Sequence, residues 1–161
     1  MKAKTHKLIP ELIPAPLNGL SAHRMLKGKV AWKRIRNAAL EEAGHRCVHC
    51  RQRGKILFCH EKWRFDAQRS TVKLYGFEMV CEQCNSVLHA GRAMLAGYEY
   101  EVIQHLCQMN KCDEITAVKI LSKAFEKWGL QNNVNWRIEV TQALLKRYPE
   151  LATLPSYKPP S

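Results

Sequence analysis

Two cysteine pairs constrain this chain more than any other feature: Cys47-Val48-His49-Cys50 and Cys81-Glu82-Gln83-Cys84, with 30 residues between them. A CxxC pair lets two sulfurs reach one ion from a tight turn, and four thiolates suit a tetrahedral, borderline-soft cation, Zn²⁺ above all. Free cysteines have no reason of their own to fall at that paired spacing. A four-cysteine site is coordinatively closed and therefore structural, so any chemistry must happen elsewhere. The chain has seven cysteines, an odd count that suits metal binding in an unexported protein better than a disulfide framework. Cys107 and Cys112 then read as small buried hydrophobes.

Charge supplies the second constraint. Lys and Arg number 26 against 14 Asp and Glu, a formal charge of +12 that attracts polyanions before any specific contact forms. Nucleic acid, DNA first, is the expected partner, with an anionic membrane surface as the alternative. Lys27, Lys29, Lys33, Arg34 and Arg36 crowd the start of a helix expected over 29–43. Positive charge there opposes the helix dipole, so the cluster is explained either by an external anion or as a solvated face. Arg51, Arg53 and Lys55, around Gly54, read as phosphate contacts rather than sequence readers. No apolar run approaches the roughly 18 residues that a membrane helix needs, and Pro10, Pro14 and Pro16 break up the N-terminal segment where a signal peptide would be continuous. The expected compartment is the cytoplasm, with no membrane partner.

The organisation follows from patterning. Residues 1–28 form a Pro-rich arm that packs on the body or docks on a protein partner; 29–97 form a zinc-stapled domain, 98–150 a helical extension and 151–161 a loosely held tail. Strands at 56–65 and 71–80, the second bent near Gly76, suggest a hairpin between the knuckles, with Trp63 and Phe65 on its core face. Helical segments are expected over 85–96 and 101–109. Asp113 caps a further helix whose core stripe is Ile115, Val118, Leu121, Phe125 and Trp128, and which Gly129 ends. A short strand over 135–140 and a helix over 142–148 complete the chain. The expected class is α+β, a treble-clef or ββα-metal zinc-stapled core with a helical C-terminal extension.

Between the knuckles His60 is flanked by Cys59 and Glu61 on the first strand. His89 follows Asn85 by four residues, so the two project from one helical face a turn apart. A strand histidine facing an Asn and a His could hold a divalent ion and activate water; alternatively, both histidines stabilise the fold by hydrogen bonds or contact DNA. The segments CVHC, FCHEKWRFD and VCEQCNSVLHAGRA resemble HNH endonucleases of the ββα-metal type, in the subgroup wrapped by two zinc-binding CxxC knuckles. The similarity covers about residues 32–92, and HLCQMN and AFEKW are similar to the tails of bacterial proteins carrying such a domain. The resemblance implies that His60 is the general base, that Cys59 stands where a catalytic-metal ligand belongs, and that Asn85 and His89 supply further catalytic or ligand groups for Mg²⁺, Mn²⁺ or Ni²⁺. Arg92, a turn beyond His89, would steady the scissile phosphate.

Two departures stand out. The family usually has Asp or His where this chain has Cys59, and a thiolate is a poor ligand for Mg²⁺. Near Gly76, where the family often has an Asn, the chain reads LYGFEMVC. Glu61 offers a harder oxygen, but neighbouring strand residues point to opposite faces. The rival readings are a zinc-stapled nucleic-acid-binding protein or nucleoprotein subunit without catalysis, and a protein-interaction module.

Overall fold

The computed structural model describes residues 6–154, a mixed α+β chain with a three-stranded sheet. Strand β1 (Leu57–Asp66) and strand β2 (Thr71–Cys81) pair antiparallel, and the turn between them is closed by the Asp66 carboxylate accepting the Arg69 N–H at 3.1 Å. Their register slips between Lys62 and Trp63, leaving Tyr75 as the extra residue on β2. Such a bulge bends the strand beside Gly76. The Tyr75 ring meets two cations, its centroid 5.0 Å from Lys62 Nζ and 4.7 Å from Arg64 Cζ.

Before the hairpin come α1 (Ala22–Leu26) and α2 (Val30–Glu42), whose stripe of Ile35, Ala39 and Ala43 is buried as the spacing implied. After it, β2 runs directly into α3 (Glu82–Leu88), and α4 (Ala90–Leu95) follows. The single helix expected over 85–96 is thus two. His89 is the break, with φ −103° and ψ 44°, although its N–H still bonds the Asn85 carbonyl at 2.9 Å. Asn85 and His89 therefore remain one turn apart.

The extension comprises α5 (Glu99–Asn110), α6 (Glu114–Gln131), strand β3 (Arg137–Val140) and α7 (Gln142–Arg147). Asp113 caps α6 as expected, accepting the Thr116 N–H at 2.8 Å. The stripe on α6 is rotated from its expected phase: Ile115 is 68% and Val118 45% exposed, while Ala117, Ile120 and Leu121 are buried. Ala117, Ile120 and Leu121 share one buried cluster with Val102 and Leu106 of α5, and Ile115 and Val118 are left on the flank. Nor does Gly129 end the helix. A helical glycine costs about 1 kcal/mol, and tertiary bonds around Trp128 and Asn132 carry the helix to Gln131 regardless. Strand β3 pairs parallel with β2, so the extension completes the sheet rather than standing apart.

The N-terminal segment is a belt on the body. Leu8 is buried, and both its backbone groups are taken by the Asn110 amide, at 2.9 and 2.8 Å. Farther along, the Glu11 N–H bonds the Leu88 carbonyl at 2.9 Å, the Ile13 carbonyl accepts from Trp128 Nε1 at 2.9 Å, and the Ala15 N–H bonds Asn132 Oδ1 at 2.7 Å. The arm then passes the edge strand β1. There Glu61 accepts from Ser21 Oγ at 3.1 Å and from the His23 N–H at 2.9 Å, placing a carboxylate at the N-terminus of α1, where the helix dipole favours it. The expected tail lies mostly outside the described residues. Tyr148, Leu151 and Leu154, which precede the undescribed end, are buried against α1 and α2.

This packing separates two substitutions that sequence spacing alone would rank the other way. Leu8→Ala is expected to cost about 2–5 kcal/mol in urea unfolding, and Ile115→Ala less than about 0.5 kcal/mol.

Candidate functional site

Both knuckles converge. Cys47, Cys50, Cys81 and Cys84 place their sulfurs within 4.8 Å of one another, and three of the four are buried. Cys50 and Cys81 Sγ are 3.7 Å apart. Metal–sulfur bonds of about 2.3 Å in a tetrahedron put sulfurs about 3.8 Å apart, so the four residues are positioned to bind a metal ion. The first knuckle is a turn in which the Arg51 N–H bonds the Cys47 carbonyl at 2.9 Å, and the Val48 N–H bonds the Met79 carbonyl of β2 at 3.0 Å. The second opens α3. Lys55 bonds the Gln83 amide oxygen across the two.

Crowding governs the thiols. The neighbouring sulfur of Cys84 holds Cys47 below its ordinary range, Cys47 in turn holds Cys84 above its own, and burial pushes Cys50 up. The groups around them are committed as well. His49 pairs with Glu78 at 3.0 Å, which raises the imidazole; burial pushes the Glu78 carboxyl up, but the bond from His49 together with the charges of His49, Lys62 and His60 outweighs it and the net shift is down. His105 Nε2 on α5 lies 3.2 Å from Cys84 Sγ, close enough to donate an N–H to a thiolate. Its distance in sequence from either knuckle gives no hint of this.

Beside this centre is a cleft of about 350 Å³, lined among others by Cys59, His60, Asn85, His89 and Arg92. The expected site residues thus meet in one place. His60 and His89 stack edge to face, their ring centroids 5.1 Å apart. His60 has a buried side chain, 3% exposed, and its Nε2 is 2.8 Å from the Glu11 carboxylate on the arm. No local pattern in the sequence pairs Glu11 with His60. Burial, with His60 and Arg92 adding, brings His89 down to about 4, so its imidazole is neutral near pH 7, the form that ligates metals. The Cys59 thiol is pushed up to about 12 by burial and by Glu61, against a smaller pull from Arg36, so it stays protonated near neutral pH. Glu61 is spent on Ser21, on the His23 N–H and on Trp63 Nε1, the last at 3.2 Å. Trp63 and Phe65 are half-buried and pack with Trp136 in a small core of their own.

The basic residues divide. Lys27, Lys29 and Lys33 are exposed, but Arg34 bonds Glu150 at 3.2 Å and the Arg147 carbonyl at 3.2 Å, a structural clasp rather than a free contact. Arg36 is half-buried and close enough to bear on Cys59. Arg51, Arg53 and Lys55 are exposed, and Arg53 and Arg51 crowd Arg46, lowering its guanidinium below its ordinary value. Arg46 thus joins that cluster. Arg92 is exposed at the cleft mouth. Among the described residues no helix is long and apolar enough to cross a membrane.

Replacing Cys84 by Ser is expected to release the metal, seen as loss of a transition metal by elemental analysis of the purified chain, and to melt the hairpin by circular dichroism, because such sites couple binding to folding. Compared with known protein families, characterised proteins and solved structures, the chain matches none.

Proposed function

We propose that the chain is a metal-dependent DNA endonuclease of HNH type, built on a treble-clef-like ββα-metal unit whose four cysteines hold structural Zn²⁺. The observation that carries this reading is the meeting of His60, Asn85, His89 and Arg92 in one cleft beside the four-cysteine centre. Knuckle, hairpin, knuckle and helix follow one another in the order that lets one ion staple β2 and α3 against the first knuckle.

In this reading His60 takes the proton from an attacking water, a step that needs a base lone pair within hydrogen-bond reach of that water. Arg92 holds a phosphate oxygen by charge-assisted bonds at the cleft mouth. Arg46, Arg51, Arg53, Lys55, Lys27, Lys29 and Lys33 hold the flanking backbone, fixing register without reading sequence. His89, neutral in this setting, and the Asn85 amide oxygen fit a second divalent ion such as Mn²⁺ or Ni²⁺ better than Mg²⁺, and the protonated Cys59 thiol does not fit as a hard-ion ligand. When bound there, such an ion would stabilise negative charge developing on the phosphate.

Binding is expected to be largely electrostatic, with affinity for a DNA duplex falling on the order of a thousandfold between about 50 and 200 mM salt if about six phosphates are contacted. Fluorescence anisotropy across that range checks it, and salt-independent binding would count against the interface. For the chemistry, plasmid cleavage is measured with Mg²⁺, Mn²⁺ and Ni²⁺. His60→Ala should abolish cutting while DNA affinity stays within about twofold of wild type. Wild-type protein that binds DNA and cuts with none of these ions would instead establish the binding-only reading.

A further inference from the structure

We propose that Glu11 is the positioning residue for His60: its carboxylate holds the imidazole in the Nε2–H form and leaves Nδ1 as the ring's one basic nitrogen. The catalytic consequence rests on the nuclease reading of His60; the tautomer does not.

An ionised carboxylate only accepts hydrogen bonds, so in the 2.8 Å contact between Glu11 Oε2 and His60 Nε2 the ring nitrogen must carry the hydrogen. A neutral imidazole has one N–H. With it committed to Glu11, the lone pair is on Nδ1, the other nitrogen of a ring whose residue lines the cleft. The His60 side chain is almost wholly enclosed, and charge-assisted bonds to enclosed groups are strong and directional.

Glu11 is itself held. Its own N–H bonds the carbonyl of Leu88, the residue before His89, at 2.9 Å. One residue therefore ties its backbone to the segment that presents His89 and its side chain to His60, which fixes the two rings relative to each other. Nothing on the hairpin competes for this role. Glu78 lies directly across from His60 in the β1–β2 pairing, but its carboxylate is bonded to His49 at 3.0 Å and lies 3.9 Å from Lys62 Nζ. Cys59 and Glu61 flank His60 on β1, and Glu61 is occupied by Ser21, His23 and Trp63. The orienting carboxylate comes instead from the arm, 49 residues upstream.

The test uses the full, metal-loaded chain labelled with ¹⁵N-histidine. Long-range ¹H–¹⁵N correlation spectra at neutral pH, with His60 assigned by its absence in His60→Ala, read which ring nitrogen carries hydrogen. Wild type is expected to show Nε2–H. Glu11→Ala should show a mixture of the two tautomers, and Glu11→Gln, whose amide oxygen can still accept, should retain Nε2–H. In cleavage assays Glu11→Ala should lower kcat by about a hundredfold with KM changed less than about twofold, the signature of a group needed for proton transfer and not for binding. Glu11→Gln should recover part of that loss, and because it keeps the bond it also serves if Glu11→Ala does not fold. An Nδ1–H or doubly protonated ring in wild type, an unchanged tautomer in Glu11→Ala, or a wild-type kcat in Glu11→Ala overturns the proposal. Wild-type protein that cuts nothing removes the nuclease reading alone, and the spectra then decide the positioning claim.

Discussion

Four sulfurs within 4.8 Å of one another cannot all be thiolates unless a cation sits among them. Two unit charges 4 Å apart repel by about 4 kcal/mol at an effective dielectric of about 20. Without metal that repulsion sets the sulfurs against one another, with Cys47 held below its ordinary range and Cys84 above it. A dication converts that repulsion into the attraction that closes the knuckles on each other. The elements nearby are tied to these cysteines: the Val48 N–H bonds β2, the second pair opens α3, and α3 carries Asn85 and leads into His89, beside the strand that carries His60.

What the sequence revealed and what it hid follow the range of the forces involved. The knuckles, the hairpin between them and the Asp113 cap are set by neighbours within a few residues, and those features stand as the spacing implied. Where long-range packing decides, spacing misleads. Helix α6 shows this: apolar residues at helical intervals mark a stripe, but the side buried with α5 is that of Ala117, Ile120 and Leu121, and Ile115 and Val118 are turned outward. The break at His89 was equally hidden, since no proline or glycine occupies that position. His105 on Cys84 and Glu11 on His60 join residues far apart in the chain, and no local pattern encodes either pair.

Charge shows the same division. A run of basic residues at the start of α2 reads as one patch, yet Arg34 is tied to Glu150, and Arg147 near the far end of the chain is tied to Glu42 at 2.8 Å. Those contacts clasp α7 and the 3-10 turn that follows it, Pro149–Thr153, onto α2 and leave less positive charge for a ligand. Among the described residues Lys27, Lys29 and Lys33 make no such pair, nor do Arg51 and Arg53, and their exposed charge is what a polyanion would meet.

The belt has a consequence in time. Residues 8–15 leave the ribosome well before Asn110, Trp128 and Asn132, which hold them. The four cysteines can gather as soon as Cys84 emerges, since the segment from Cys47 to Cys84 is contiguous. The arm cannot dock until α5 and α6 exist, and contacts of such long separation form late because closing the intervening loop costs entropy before any contact repays it. A nascent chain could therefore load its metal well before Glu11 reaches His60. The cleft would be assembled only after α6 has emerged, so a product truncated before α6 could carry a folded metal centre without an ordered histidine beside it.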